Sequence, residues 1–375
     1  MRSVVFIIES FSVGGAERAL VDIVNHLDPA KFDITILSLF KHSVNSAYPF
    51  EISGSELRED IRFRYLVNNR NRLIYKIFNY LLNHCPASVF RWFVGDKYDD
   101  VVGFYEGAPT RFVSKARLSH GRKITWLQTS VELSQKGKNE DAIRAEEAIY
   151  SAFDLIVSLS QGVKDSFVSM FPALYDKVAV AYHPMDMAKV VRLGEEPPIV
   201  KRPEIPLFVS VGRITWVKGH DRYLRVVENL LKKGYSFEVW IVGGGDRTSL
   251  EKYCLDHNLG NVKFMGNQTN PFPFMKLADW FVMPSYVEGF GSVQMEALAL
   301  GKAVIATKCS GTTELLGDSE YGLVVDNSEE GLQKGLERVL SDDDLRSKYE
   351  NVAKDRARLF DIDSCIRRIE DVLYV

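Results

Sequence analysis

The chain has 375 residues, 46% hydrophobic and 26% charged, a globular composition with room for two domains of ordinary size. A formal net charge of -3 excludes a global positive field for nucleic acid. The scattered Cys85, Cys254, Cys309 and Cys365 exclude a disulfide framework or a CxxC metal pair, and are expected to be reduced thiols in a cytosolic protein.

Val4–Ile8 is a continuous apolar run, fit for a strand buried on both faces. Glu9 interrupts that run too early for a signal peptide, and no later run reaches the roughly 20 residues of a membrane span. Gly14-Gly15 precedes a helix whose Ala16, Ala19, Leu20, Ile23, Val24 and Leu27 share one face, with Pro29 just past its end. Phe32–Leu39, Asp100–Phe104, Lys123–Leu127, Leu155–Ser158 and Val178–Ala181 read as further strands, with helical segments among them. Within this half, Arg62–Leu82 reads as a basic amphipathic helix. Leu73, Ile74, Ile77, Phe78, Leu81 and Leu82 form its stripe, and Arg62, Arg64, Arg70, Arg72 and Lys76 its charge. It is either a helix packed on the sheet with its basic residues in solvent or, near 70–82, a peripheral contact with an anionic membrane.

The proline-rich stretch ending at Pro206 has no periodicity and reads as an interdomain linker, placed at 191–206. The alternation then restarts with strands Leu207–Val211, Phe237–Val242, Val262–Phe264, Trp280–Met283, Ala303–Ala306 and Leu323–Val325. A last helix from about Ile362 to Leu373 turns Cys365, Ile366 and Ile369 inward. The expected plan is α/β. A first doubly wound domain spans 1–190, a second spans 207–359, and a terminal helix at 360–375 returns to the first. Open parallel sheets bind ligands outside the carboxyl ends of their strands, so the site is expected in a cleft between the two domains.

Glu288-Gly-Phe-Gly-Ser-Val-Gln-Met-Glu296 follows the strand Trp280–Met283. Gly289, Phe290 and Gly291 would make a tight turn with exposed N–H groups, and Ser292 would cap the next helix. A helix N-terminus suits a phosphate, and Glu288 and Glu296 on either side can accept hydrogen bonds from sugar and ribose hydroxyls. Arg213 and Lys218, in the first loop of the second sheet, fit a diphosphate. Gly243-Gly244-Gly245-Asp246 either lets a base or ribose come close or is a turn capped by Asp246 or Thr248. Gly14-Gly15-Ala16-Glu17 is not GxGxxG; it makes an anion-binding helix start or a plain turn. No His, Cys, Asp or Glu spacing suggests a metal, and Asp342-Asp-Asp344 is best read as helix capping.

The order Gly-Gly-Ala-Glu, Ser-Val-Gly-Arg…Lys-Gly, Gly-Gly-Gly-Asp, then Glu-Gly-Phe-Gly…Glu resembles the retaining GT-B glycosyltransferases of family 4 over nearly the whole chain. The resemblance implies two Rossmann-like domains facing across a cleft. Glu288, Arg213 and Lys218 would be catalytic. Gly15, Gly243, Gly244, Gly289, Phe290, Gly291, Ser292 and Glu296 would bind the donor, and Gly14, Glu17 and Gln128 would lie on the acceptor side. Gln128 stands where many members carry a His, and a neutral amide cannot take a proton. His183 stands where the family commonly has Asn before Pro.

The implied reaction moves a sugar from a nucleotide diphosphate sugar, UDP first and GDP second, to a hydroxyl of a saccharide or lipid-linked saccharide, with retention. Neither cofactor nor metal is expected. The setting would be cytoplasmic synthesis of polysaccharide or glycolipid, with no nucleic acid partner. Alternatives are a sugar-nucleotide epimerase or a phosphorylase of the same fold, or a non-catalytic subunit that binds nucleotide sugar or glycan.

Overall fold

The computed structural model describes residues 1–10, 15–41, 56–67, 72–129, 139–197 and 199–374, with only the backbone for Arg72 and Tyr75. Gly14 and Arg70 lie outside the described residues. The chain divides into two compact units. One comprises Met1–Pro184 with Ile362–Val375, and the other Met185–Asp361.

In the first unit, seven described strands form one parallel sheet. They are β1 (Arg2–Ser10), β2 (Phe32–Phe40), β3 (Arg62–Val67), β4 (Asp100–Phe104), β5 (Arg122–Leu127), β6 (Leu155–Ser158) and β7 (Val178–Val180). Their order is β3-β2-β1-β4-β5-β6-β7. β1 sits inside the sheet, with Val4 opposite Ile34 on one side and Val5 opposite Val101 on the other. Val4–Ile8 is wholly buried, as a strand covered on both faces requires.

β3 corrects the reading of Arg62–Leu82 as one helix. Arg62 and Arg64 alternate with Phe63 and Tyr65, a period of two that suits an edge strand. Arg62 donates from its guanidinium to Asp33 and Thr35 on β2. The described helix is Arg72–His84.

Helix α1 (Gly15–His26) packs Leu20, Ile23 and Val24 onto this sheet. The helix Ile362–Tyr374 adds Ile362, Ile366, Ile369, Val372 and Leu373 to the same core. Polar ties fix it: Arg122 donates to Leu373 O at 2.6 Å, and Glu370 accepts from Asp28 N at 2.9 Å and Lys31 at 2.6 Å.

The second unit carries β8 (Leu207–Val211), β9 (Glu238–Val242), β10 (Val262–Gly266), β11 (Trp280–Met283), β12 (Ala303–Thr307) and β13 (Leu323–Val325). Its parallel order is β10-β9-β8-β11-β12-β13. The chain progresses one way from β8 and the other way from β11. The loops after β8 and β11 therefore diverge at a switch point, where open α/β sheets bind ligands. In the first unit the strands β1 and β4 stand in the same relation.

Residues 191–206 are held by the second unit and do not form a free linker. They start within the helix Met187–Gly194, which Asp186 caps by accepting from Lys189 N at 2.8 Å. Beyond it, Glu196 accepts from Asn270 at 2.8 Å and Arg202 donates to Asp279 at 2.6 Å, while Val200 packs on the core around Leu207 and Trp240. Prolines and polar residues hid these side-chain ties behind a linker-like composition. The helix Asp343–Ala357 starts with Asp342 accepting from Leu345 N at 3.1 Å, as its acidic run suggested.

Candidate active site

Three loops at the carboxyl end of the second sheet bring most of the sequence candidates near one another. After β8 the chain runs through Gly212 and Arg213 to Lys218 and Gly219. After β9 it runs through Gly243 and Gly244, and after β11 through Pro284 to Gly291. The first two are stitched together: Gly212 N donates to Val242 O at 2.9 Å and Ile214 N to Gly244 O at 2.8 Å. A Cβ on Gly243, at φ +154°, would lie 1.9 Å from Gly212 O. Backbone packing on backbone thus demands glycine at 243. Gly244 faces Asn267. Asp246 accepts from Thr248 N at 3.0 Å, closing the turn ahead of the following helix.

The loops after β8 and β11 approach as closely. Gly219 has φ +67°, and a Cβ there would stand 2.0 Å from Pro284 O. This contact lets Lys218 reach the other loop, where its Nζ donates to Glu288 Oε1 at 2.5 Å. Ser285 Oγ donates to the same oxygen at 2.7 Å. Both partners are largely covered, Lys218 at 23% and Glu288 at 11% side-chain exposure. The sequence reading gave these two residues separate tasks; the structure joins them as an ion pair.

Arg222 holds the β11 loop in place and was not among the sequence candidates. Its buried guanidinium donates to Pro284 O at 2.9 and 2.7 Å and to Ser285 O at 2.6 Å, and lies 4.1 Å from the Tyr286 ring centre. Thr307 Oγ1 donates to Ser285 O at 2.6 Å, Asn327 donates to Tyr286 O at 2.8 Å, and Tyr286 donates to Asp221 at 3.0 Å. His220, one residue before Asp221, is buried beside Ser210; burial first, and Lys218 next, push its imidazole down to about 4.

Gly291, at φ +83°, is the N-cap of the helix Ser292–Ala299. Ser292 is therefore its first helical residue and not the cap. The N-cap, being glycine, has no side chain to bond the first N–H groups, which leaves the positive end of the helix to other partners. Phe290 is buried, its ring against Phe360 with centroids 5.3 Å apart. A Cβ on Gly311 would come within 2.3 Å of Phe290 Cα, so the loop is packed from behind. Glu296 is half-buried on the helix and Arg213 is exposed.

The remaining candidates lie in the first unit. Gly15 opens α1 with open space where a Cβ would stand, and Glu17 is half-buried in the first turn. Glu17 and Glu9 both act on Tyr105, whose hydroxyl accepts from Glu9 N at 3.2 Å and is held above its ordinary value mainly by burial. Tyr105 has φ +104°, a strained conformation for a side-chain-bearing residue. Next to it, the Glu106 carboxylate accepts from Gln128 N at 2.8 Å and Thr129 N at 3.0 Å. Burial raises the Glu106 carboxyl even so. Gln128 keeps a buried amide nitrogen with no hydrogen-bond partner among the described residues. Tyr105 and Glu106 were missed because their contacts depend on β4 lying between β1 and β5. Strand order leaves no mark on the local pattern.

The chain is similar to known proteins in sequence and in fold. A sequence model for the family described as glycosyl transferases group 1 matches residues 195–356. The N-acetylgalactosamine-N,N'-diacetylbacillosaminyl-diphospho-undecaprenol 4-alpha-N-acetylgalactosaminyltransferase of Campylobacter jejuni is 33% identical over 217 residues, which span 57% of this chain and 58% of that protein. An uncharacterized glycosyltransferase of Methanocaldococcus jannaschii is 30% identical over 69% of this chain and 70% of its own length. The crystal structure of Anabaena HepE in complex with UDP and glucose matches with a TM-score of 0.78 and 18% identity over 100% of both chains. The two Rossmann-like sheets are those of the GT-B fold. The chain belongs to the group 1 glycosyltransferases.

Proposed function

We propose that this protein transfers a sugar from a nucleotide diphosphate sugar to a hydroxyl of a saccharide or lipid-linked saccharide, with retention of configuration. The observation that carries the reading is the Lys218–Glu288 pair, 2.5 Å apart, with Glu288 three residues before the glycine N-cap of a helix. The donor diphosphate would lie against that helix start and draw Lys218 away from Glu288. The freed carboxylate would then accept hydrogen bonds from the donor sugar, with Glu296 taking the ribose hydroxyls. Arg213 and Lys218 would hold the negative charge that builds on the leaving diphosphate, so no metal is required. The leaving oxygen itself would take the proton of the incoming hydroxyl, since Glu288 and Glu296 would be engaged with hydroxyls of the donor and Gln128 is neutral. Gly15, Glu17 and Gln128 would serve the acceptor side, with Gln128 hydrogen-bonding a sugar hydroxyl.

UDP is favoured over GDP as the nucleotide, and the complex of HepE with UDP and glucose supports that choice. The Campylobacter relative, whose name places its acceptor on diphospho-undecaprenol, supports a lipid-linked saccharide as acceptor. Among the described residues no helix is long and apolar enough to cross one.

Lys218→Ala and Glu288→Ala are each expected to slow nucleotide diphosphate release about 100- to 1,000-fold, the usual cost of removing a charge-stabilising group. The rate should be indifferent to EDTA. Wild-type rates in both variants would overturn the assignment. A thermal-shift series of nucleotide sugars identifies the donor, since a ligand at about 100 times its Kd adds about 2.7 kcal/mol of stability.

A further inference from the structure

The turn after β4 concentrates costs that packing does not repay. Tyr105 and Gly107 both have positive φ, +104° and +96°, on either side of Glu106. Glycine adopts that conformation freely, but a tyrosine does so only where its surroundings force it. Here they do. Thr110 Oγ1 donates to Tyr105 O at 2.7 Å and lies 2.7 Å from Thr125 Oγ1 on β5, while the Tyr105 hydroxyl takes Glu9 N on β1 at 3.2 Å. A Cβ on Gly103 would stand 3.1 Å from Thr110 Cα, so the helix Ala108–Ser114 presses on the strand that carries the turn.

What this bracing aims is one carboxylate. Glu106 draws three hydrogen bonds from the β5 loop, and all of them fall on Oε1: Gln128 N at 2.8 Å, Thr129 N at 3.0 Å and Thr129 Oγ1 at 3.4 Å. Oε2 takes none of these. Burial holds the carboxyl above its ordinary value in spite of them, so one more donor would be worth more here than on an open surface. Glu106 is half-buried and Thr129 exposed, which puts the group at the edge of the fold, and a Cβ on Gly107 would meet nothing within 4 Å. Gln128 supplies the complement, a buried Nε2 donor with no partner among the described residues. A donor left so calls for an explanation.

A carboxylate can only accept and an amide nitrogen can only donate. A hydroxyl satisfies both at once, since it gives one hydrogen and offers lone pairs. Phosphates and carboxylates are refused by the charge of Glu106. This end of the first sheet thus differs in kind from the loops of the second, where Arg213, Lys218 and a glycine-capped helix start suit an anion.

We propose that Glu106 and Gln128 together hold one hydroxyl of the acceptor saccharide, which donates to Glu106 Oε2 and accepts from Gln128 Nε2. The amide gives up no Nε2 bond in turning toward it. Tyr105 and Thr110 are positioning residues that aim the carboxylate. The proposal rests on the transferase reading and adds to it the residues that select the acceptor.

The test uses the full chain with saturating UDP and a panel of methyl α- and β-glycosides of glucose, galactose, N-acetylglucosamine and N-acetylgalactosamine, followed by saturation-transfer NMR. The wild type should pass saturation to the ring protons of at least one glycoside. Glu106→Gln keeps an oxygen for Gln128 N and Thr129 N but sets an amide nitrogen where Oε2 stood. It should weaken that glycoside at least about tenfold, the worth of a hydrogen bond to a charged group. Gln128→Met should weaken it about threefold or more, and the double variant little more than Glu106→Gln alone, because both side chains hold the same hydroxyl. The rise of the thermal midpoint with UDP should match the wild type in both single variants. Should Glu106→Gln lose that rise, Gln128→Met decides alone, since its Nε2 ties nothing in the fold. A wild type that passes saturation to no glycoside, or variants that bind as it does, would overturn the proposal. The transferase reading fails instead if nucleotide release is unchanged in Lys218→Ala, whatever the glycosides do.

Discussion

Arg222 directs its guanidinium at carbonyls rather than at a carboxylate, and the consequence is mechanical. Pro284 O and Ser285 O depend on it, and Ser285 in turn supports Glu288. Arg222→Met is expected to lower the stability of the second unit by about 2–5 kcal/mol, because buried acceptors lose a charged donor. Urea unfolding measures this. Arg222→Lys should restore little, since one ammonium cannot fork between two carbonyls while lying against the Tyr286 ring. Lys218 and Glu288 were legible in the sequence because neither stands alone: Lys218 shares its loop with Arg213, and Glu288 stands after a strand with Gly289-Phe290-Gly291 and Glu296 beyond it. Arg222 was not, because its partners are main-chain oxygens that leave no trace in residue type. That the two legible charges pair with each other follows from Gly219, whose part in bringing the loops together no local pattern announces.

At the scale of elements, loops meeting backbone to backbone decide what the helices and strands can present. Gly219→Ala combines a positive φ with a Cβ 2.0 Å from Pro284 O. Gly234, also at positive φ, has open space around its Cβ position. Gly234→Ala is therefore expected to cost about 1 kcal/mol from backbone conformation alone. Gly219→Ala should cost at least about 2 kcal/mol more, from the shift forced on the β11 loop. Denaturant midpoints of the two variants separate these contributions; equal costs would remove the close approach from the account. The strands were readable because buried parallel strands are continuous apolar runs, and Val4–Ile8 is the plainest case. β3 was absorbed into the next helix because its arginines suggested a helical face, although Arg-Phe-Arg-Tyr alternates. Residues 191–206 were read as linker because prolines mask the ties made by Glu196 and Arg202.

For the molecule as a whole, acid should loosen both units. His183 in the first and His220 in the second are buried, and burial lowers each imidazole from 6.5 to about 4. Between those values the unfolded chain binds more protons than the folded one. The stability each neutral ring contributes is thus complete above about 6.5 and lost as pH falls toward about 4, roughly 3 kcal/mol apiece. Glu9 and Glu106, whose carboxyls are held up by burial, act in the opposite sense and offset part of the loss at the lower end. The thermal midpoint should therefore fall between pH 7 and 5, and His183→Asn with His220→Asn should flatten that fall. An unchanged slope would mean that neither ring is kept neutral. The division into two sheets was visible in the restart of alternation after Pro206, and the family resemblance implied the return of the last helix, but the crossing at Pro184 was not legible, because it depends on which core claims each helix.

The helix Ile362–Tyr374 has one more effect, in time rather than in space. A ribosome releases the first 184 residues long before the residues that finish their core. At roughly 5–20 residues per second, the intervening stretch of about 180 residues takes on the order of 10–40 s to emerge. Through that interval the apolar patch that Ile366, Ile369 and Leu373 will cover stays open, while the second unit has its whole sequence and can fold at once. The nascent chain thus completes its later half first, and its earlier half is the one in need of a chaperone.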